Sequence, residues 1–227
     1  MSDNETLRMQ HHYARLRSFE QRMRNPGFRC MFDQRNQALS NALLRLPKPL
    51  SRCRILDFGC GHGVMSGWLR NHGARPEHLT GTDIQPARIA EARRRYPDLN
   101  FMVSGDWLPF PDRSFDVVIC FTVFSSILDP AIRQRTAAEI TRVLAPGGVI
   151  IWYDIRYPNP ANKDLRAMTL LDIRRLFPLL DDQLEPLTLL PPLAERLGPL
   201  TDALYPLLAS FRFLRSHYFG LLLKKKS

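Results

Sequence analysis

Long hydrophobic runs are missing from this sequence of 227 residues. No apolar stretch approaches the ~18–20 residues that a membrane-spanning helix needs. The polar residues 1–10 contain no hydrophobic segment of the kind found in secretory signal peptides. Disulfide or zinc spacing is also missing, because no two cysteines form a Cys-x-x-Cys pair. We therefore expect a cytoplasmic protein with reduced thiols. The cysteines are Cys30, Cys53, Cys60 and Cys120.

Lysine is scarce, although the chain is basic. Lys+Arg number 32 against Asp+Glu 22, which gives a formal net charge of +10, and 27 of the 32 basic residues are Arg. The surplus lies in the flanks: residues 1–54 carry net +7, residues 55–157 are neutral, and residues 158–227 carry +3. Arginine makes forked contacts with carboxylate or phosphate, so the flanks can serve an anionic partner. A solvated basic surface explains the same excess.

Short apolar runs alternate with helical patterns through the neutral block, which predicts a parallel sheet covered on both faces. Predicted strands are 54–58, 79–82, 100–103, 115–121 and 149–153, and predicted helices are 64–72, 86–96 and 131–144. Helices 5–24 and 31–46 precede this block. A helix at 171–177, a strand at 186–190, a Pro/Leu-rich stretch at 191–214 and a last strand at 216–223 follow it.

Three glycines at alternating positions follow the first of these strands, where a strand turns into a helix. Gly59, Gly61 and Gly63 allow a tight turn and a close approach of backbone to a ligand. A dinucleotide fingerprint Gly-x-Gly-x-x-Gly fails in both frames, because Val64 or Ser66 stands at the third glycine position. No Lys follows the loop, which excludes the phosphate-binding pattern.

Two carboxylates flank this glycine loop. Asp57 at its mouth would repel pyrophosphate but suits a cationic ligand, and Asp83 at the end of the next strand suits a pair of ribose hydroxyls. A nucleoside that carries an ammonium group and no phosphates satisfies both observations.

These residues resemble the class I S-adenosylmethionine-dependent methyltransferases, in particular the type 11 subgroup. The resemblance spans roughly residues 50–155. Its motifs are Ile-Leu-Asp-Phe-Gly-Cys-Gly-His-Gly (55–63), Gly-Thr-Asp (81–83), Gly-Asp-Trp (105–107), Leu-Pro-Phe-Pro-Asp-Arg-Ser-Phe-Asp-Val-Val (108–118) and Val-Leu-Ala-Pro-Gly-Gly (143–148). It implies an α/β, Rossmann-like, mostly parallel seven-stranded sheet with helices on both faces. We expect an N-terminal helical cap (1–50) and a methyltransferase domain (51–227), with 191–214 as a lid inserted between the last two strands.

The resemblance also implies roles in binding S-adenosyl-L-methionine. The methionine half would be lined by Asp57, Gly59, Cys60, Gly61 and Gly63. Asp83 would hold the ribose hydroxyls and Ile84 would touch the adenine. Asp106 would accept from the adenine amino group, Trp107 would stack beside it, and Phe121 would lie against the cofactor.

Acceptor residues follow from topology, because ligands bind beyond the carboxyl ends of parallel strands. Thr122, Phe124, Ser125 and Ser126 follow the fourth strand, and Asp154, Arg156 and Tyr157 follow the fifth. His217 and Tyr218 would sit near the rim of the pocket. The catalytic candidates are Asp154 and His217 as bases, with Arg156 orienting the acceptor. Purely structural roles explain all three equally well.

Two further groups of residues complete this expectation. Tyr13, Arg17 and Arg29 in the N-terminal helices can reach the cofactor carboxylate or an anionic acceptor. No metal is expected, since Asp154 with Asn159 or Asn162 makes only a weak ligand set.

The leading hypothesis is methyl transfer to a hydroxyl oxygen of a small-molecule or glycan acceptor. This acceptor is anionic if the excess arginines take part in selecting it. The later motifs favour a bacterial polysaccharide or specialised-metabolite pathway. An RNA methyltransferase is the alternative, but Phe-Thr-Val-Phe (121–124) replaces the Asn/Asp-Pro-Pro-Tyr/Phe base-methylation motif, which makes nucleic acid the weaker partner. Docking of residues 221–226 on a membrane surface, to reach a lipid-linked acceptor, is another alternative. Assembly as a homodimer is left open.

Overall fold

The computed structural model describes residue 8, residues 19–158 and residues 162–225. The predicted helix 5–24 therefore lies largely outside the described residues, as do Tyr13, Arg17 and Asn159. Helices of the described part are α1 (Phe19–Met23), α2 (Pro26–Leu43), α3 (Val64–Asn71), α4 (Pro86–Arg95), α5 (Pro130–Val143), α6 (Leu170–Leu176), α7 (Pro191–Ala194) and α8 (Thr201–Ser210). Its strands are β1 (Ile55–Phe58), β2 (Leu79–Asp83), β3 (Asn100–Val103), β4 (Phe115–Phe121), β5 (Leu144–Ile155), β6 (Leu180–Leu189) and β7 (Arg215–Lys224).

The seven strands form one sheet in the order β3-β2-β1-β4-β5-β7-β6. Strands β1 to β5 pair in parallel, and β7 runs antiparallel to both of its neighbours, β5 and β6. Because β6 is therefore parallel to β5, the carboxyl ends of β1 to β6 share one edge of the sheet, and β7 starts there. The predicted α/β fold with a mostly parallel seven-stranded sheet is confirmed.

The sheet is buried on both faces, as the unbroken apolar runs predict. Val118 and Cys120 of β4 belong to one core together with Trp152 of β5, under α5 and α6. Val117 and Ile119 belong to the other core, under α2, α3 and α4. Successive side chains of a strand point to opposite faces, so a strand covered on both sides needs apolar residues at every position.

The N-terminal helix α2 and the insertion 190–214 form a third apolar cluster. Met31 of α2 packs there with Tyr205 of α8. Gly27 lies so close to α7 that a Cβ atom on it would come within 1.9 Å of the Ala194 carbonyl oxygen. Asn25 caps α2 and also donates to the Glu195 carbonyl at 2.9 Å. The N-terminal helices thus cover the insertion and the last strands.

Three elements begin five or six residues before their predicted starts. Strand β5 begins at Leu144, where the predicted helix ends, and runs through the Pro-Gly-Gly turn. Strand β6 begins at Leu180, six residues before its predicted start. Its first half lies at an exposed edge of the sheet and carries carboxylates. It therefore lacks the apolar pattern from which strands are predicted. Helix α2 begins at Pro26, since Asn25 and the proline form a strong helix start.

Candidate active site

A pocket opens at the carboxyl ends of β1, β2 and β4, where the topology predicts a ligand. Its floor is contributed by Phe58 and Gly59, and one wall by Asp83 and Ile84. The other lining residues are Arg88, Ser104, Gly105, Asp106, Phe121, Thr122, Val123, Ser126, Ile127 and Thr136. Five of the ten predicted cofactor residues therefore line one cavity: Gly59, Asp83, Ile84, Asp106 and Phe121.

Gly59 shows why the turn after β1 requires glycine. Its φ is +74°, a left-handed conformation that disfavours residues with a side chain. A Cβ atom at this position would also lie 2.5 Å from Cγ2 of Val123. The backbone N–H groups of Gly59 and Cys60 both donate to the Thr82 carbonyl, at 2.7 and 2.9 Å. The loop is therefore fastened to the end of β2.

Asp83 joins the glycine loop to the second strand. Its Oδ2 accepts from the backbone N–H of Gly61 at 3.0 Å, and its Oδ1 accepts from that of Gln85 at 2.9 Å. Arg88 Nη1 lies 3.9 Å from Oδ2. A carboxylate has about four lone-pair sites, so these two backbone bonds leave capacity for hydroxyl donors on the pocket side.

Asp57 lies behind the loop and does not line the cavity. It is 3 % exposed and accepts from the Ser66 hydroxyl at 2.6 Å. Burial raises the pKa of Asp57 to about 6, and the nearby Asp83 contributes in the same direction. A buried carboxylate of this kind would be stabilised by a cation on the ligand.

The remaining predicted cofactor residues lie around this pocket rather than in it. Cys60 is buried, and burial raises the pKa of its thiol. Gly61 and Gly63 both have positive φ, and Gly63 starts α3. Trp107 is 66 % exposed and borders a neighbouring depression that Ile84 and Asp106 also line, so its stacking on the adenine stays a prediction. The adjacent Asp106 does line the pocket and pairs with Arg135 at 2.9 Å.

Asp154 is fully enclosed on the α5/α6 side of the sheet. It is 1 % exposed, and its Oδ2 accepts from the backbone N–H of Ser125 at 3.0 Å. Burial raises the pKa of Asp154 to about 6. Such a pKa suits a general base, but Asp154 does not line the pocket, and its hydrogen bond fixes the turn after β4.

His217 is buried on the opposite face, and its predicted place at the rim is wrong. It is 6 % exposed and stacks on Tyr153 with ring centroids 4.3 Å apart. Its Nδ1 lies 3.0 Å from the Thr188 hydroxyl and 2.7 Å from that of Ser216. Burial, with the charges of Arg35 and Arg22, lowers the pKa of His217 to about 3. The imidazole is held as a neutral core residue.

The three predicted catalytic residues do not converge. Asp154 and His217 project from opposite faces of the sheet, since Asp154 shares its face with Trp152, whereas His217 stacks on Tyr153. Arg156 Nη1 donates to the carbonyls of Arg212 at 3.1 Å and Arg215 at 3.4 Å. This arginine therefore ties the end of β5 to the insertion.

Arg35 is the functional candidate that the sequence analysis missed. Its guanidinium lies 5.4 Å from the ring centroid of Phe121 and 5.9 Å from that of Tyr153, near Asp57. Its Nε and Nη2 donate to Asn36 Oδ1, a neutral partner. Burial lowers the pKa of Arg35. By contrast, Arg29, predicted for this role, is exposed and bonds backbone carbonyls of the preceding turn.

The turn after β4 lines the pocket through Thr122 and Ser126, two of the residues predicted at its mouth. Thr122 has φ +54°, an uncommon conformation for a β-branched residue. Its backbone N–H donates to the Tyr153 carbonyl at 2.6 Å, which holds the strained turn in place. Phe124 and Ser125 are buried in the core instead.

A family model described as "Methyltransferase domain" matches residues 56–152. Residues 56–152 therefore form a methyltransferase domain, on the fold of the class I S-adenosylmethionine-dependent methyltransferases. It is 41 % identical over 118 residues to the phthiotriol/phenolphthiotriol dimycocerosates methyltransferase of Mycobacterium leprae, covering 50 % of this chain and 41 % of that protein. It is 41 % identical over 107 residues to the fatty-acid O-methyltransferase of Mycolicibacterium smegmatis, covering 45 % and 37 %. The matched region spans less than half the length of these relatives.

Solved methyltransferase structures share the fold across nearly the whole chain. A chain from the complex of the Haloferax volcanii Trm112 methyltransferase activator with a methyltransferase aligns with a TM-score of 0.63 and 22 % identity, covering 87 % of this chain and 93 % of that one. An S-adenosylmethionine-dependent methyltransferase from Mesorhizobium loti aligns with a TM-score of 0.58 and 18 % identity, covering 82 % and 97 %. At these identities, the likeness concerns the fold alone.

Proposed function

We infer that this protein transfers the methyl group of S-adenosylmethionine to an oxygen of a small, largely apolar acceptor. The observation that carries this inference is the single pocket that joins the glycine turn at Gly59, the carboxylate of Asp83 and the mouth of β4. When bound, the cofactor supplies an electrophilic sulfonium methyl, so the protein has mainly to position an acceptor and exclude water.

The pocket residues fit an adenosyl cofactor. Asp83 retains lone pairs for ribose hydroxyls, and Ile84 and Asp106 stand next to it along the same wall. Arg35 carries a partly buried positive charge beside Phe121, and its side-chain hydrogen bonds go to the neutral amide of Asn36. It would bind the cofactor carboxylate, while the buried carboxylate of Asp57 would favour the ammonium group.

The acceptor side of the pocket favours an apolar substrate over a glycan. Phe121, Val123 and Ile127 line it, with Thr122 and Ser126 as its hydroxyl-bearing residues. Two of the similar proteins are described as a phthiotriol/phenolphthiotriol dimycocerosates methyltransferase and a fatty-acid O-methyltransferase. We therefore place a hydroxyl or carboxyl oxygen on an aliphatic chain first among the acceptors.

The basic flanks give little support to an RNA substrate, because several of their charges are used inside the fold. Arg54 and Lys48 both pair with Asp116, at 3.2 and 2.8 Å. Lys224 of the lysine-rich tail donates to the Thr141 carbonyl at 2.6 Å.

Methyl-labelled cofactor offered together with candidate acceptors tests the proposal. We expect label in long-chain fatty acids or aliphatic alcohols and none in oligosaccharides or RNA. Transfer confined to RNA or oligosaccharides would contradict the acceptor class. Failure to bind the cofactor at all would contradict the proposed function itself.

A further inference from the structure

The insertion between β6 and β7 exposes several large apolar side chains within residues 200–213. We call the group Leu200, Leu207, Phe211 and Phe213 the insertion patch. Their exposed fractions are 61 %, 57 %, 46 % and 66 %. The rings of Phe211 and Phe213 lie 5.8 Å apart, so the two aromatics form one surface. Clustered exposed apolar side chains mark an interaction site more often than scattered ones do.

Helix α8 has an outward face that is unusual for a helix in contact with water. Its inward face buries Thr201, Tyr205 and Ala209. Its exposed positions are Asp202, Ala203, Pro206, Leu207 and Ser210, of which Asp202 alone is charged. An outward helix face in water normally carries several charged side chains. This face is therefore better suited to contact an apolar phase.

The insertion itself contributes two exposed arginines, Arg196 and Arg212. Arg212 stands between the two phenylalanines in sequence, with its side chain 66 % exposed and 4.0 Å from Glu185, whose side chain is 76 % exposed. Arg196 follows α7, and Arg24 precedes α2, whose Asn25 bonds to α7. An exposed ion pair such as that of Arg212 is worth little, so the guanidinium remains available to anions. Aromatic and aliphatic residues among arginines suit an anionic lipid surface.

The position of the patch relates it to the pocket. The insertion leaves β6 and joins β7 at the edge of the sheet where β1 and β4 end, and that is the edge at which the pocket opens. Arg156 links the end of β5 to the carbonyl of Arg212 at 3.1 Å. A surface bound by the insertion would therefore lie on the pocket side of the molecule.

We propose that the insertion patch docks on the surface of a bilayer that contains anionic lipids, with Phe211 and Phe213 inserted at the interface and Arg212 against the headgroups. Docking requires neither cofactor nor acceptor, so it stands or falls separately from the proposed function. It also differs from anchoring by the chain's end, because Leu221 and Leu222 are buried in the sheet at 2 % and 1 % exposure. None of the described helices is long and apolar enough to cross a bilayer.

Sedimentation of the full chain with vesicles tests this proposal, without cofactor or acceptor. The probes are vesicles of phosphatidylcholine alone and of phosphatidylcholine mixed with phosphatidylglycerol. The test variant is Leu207→Ser/Phe211→Ser/Phe213→Ser. The matched control is Leu44→Ser/Leu171→Ser/Leu179→Ser, which removes three apolar side chains exposed elsewhere, at 87 %, 57 % and 69 %. Circular dichroism and thermal unfolding verify that both variants fold.

We expect the wild-type chain and the control to sediment with the mixed vesicles, and the test variant to partition at least about tenfold less. Arg212→Glu should weaken binding to mixed vesicles and leave the weak binding to phosphatidylcholine unchanged. Equal partition of wild type and test variant, or no binding by wild type, would overturn the proposal. A wild-type dimer that the test variant dissociates, with no vesicle binding, would assign the patch to self-association instead and overturn it too.

Discussion

Replacing His217 by asparagine tests how a buried, neutral histidine changes the free energy of unfolding with pH. The neutral imidazole stacks on Tyr153 and bonds through Nδ1 to two hydroxyl groups. Arg35 and Arg22 oppose its protonation, in addition to the cost of burial. An asparagine amide retains a polar group near Nδ1 and cannot titrate, so the variant removes the pH-dependent contribution.

The size of that contribution follows from the two pKa values. His217 has a folded pKa of about 3 against 6.5 in a model compound. The depressed folded pKa means that its stabilisation is complete above pH 6.5 and is lost progressively as the pH falls towards 3. At 1.36 kcal/mol per pKa unit the whole loss is about 5 kcal/mol, and about 2 kcal/mol of it falls between pH 7 and pH 5.

Urea unfolding of wild type and His217→Asn at pH 7 and pH 5 measures this loss. Asp57 and Asp154, whose raised pKa values act in the opposite direction, are present in both proteins, so their effects cancel in the difference. We expect wild type to lose about 2 kcal/mol more than the variant. A pH-independent difference for His217→Asn would refute the burial of a neutral imidazole.

Three further substitutions test the site. Gly59→Ala should reduce cofactor affinity in calorimetry by more than tenfold, because the new Cβ atom would contact Val123. The control Gly198→Ala should leave the affinity unchanged, since Gly198 also has a positive φ of +53° but has open space around it. Equal effects of the two substitutions would mean that the turn at Gly59 is unimportant for binding. Arg35→Ala should weaken cofactor binding by roughly tenfold to a hundredfold, the value of a charge-assisted hydrogen bond, while Arg29→Ala should leave it unchanged. Trp107→Ala should leave cofactor affinity unchanged in the same assay, since the indole is largely exposed; a large loss would support its predicted stacking role.

The cofactor half of the fold could be predicted from the sequence because local patterns determine it. The strand, glycine turn and helix around Gly59 are contiguous, and Asp83 follows from the next strand end. The position of Arg35 could have been predicted from helical spacing. It stands four residues after Met31 and four before Leu39, which are both buried, so its charge lies on the inward face of α2. A charge there is costly unless something pairs with it.

The acceptor half could not be predicted because it depends on contacts distant in sequence. His217 pairs with Ile155 at the end of β5, but its side chain lies on the same face of the sheet as Tyr153, on which it stacks and where it is buried. Because successive side chains of β5 point to opposite faces, Asp154 lies on the other side of the sheet from His217. Neither fact is encoded in the spacing of the residues involved, since both arise from the pairing of β7 with β5.

Calorimetric titration of Asp83→Asn with S-adenosylmethionine tests the central claim most directly, with Asp112→Asn, at an exposed carboxylate, as the control. If Asp83 holds the ribose hydroxyls, the affinity of Asp83→Asn should fall by roughly tenfold or more while Asp112→Asn binds as wild type does. Unchanged affinity in a folded Asp83→Asn variant would contradict the assignment of the pocket to the cofactor.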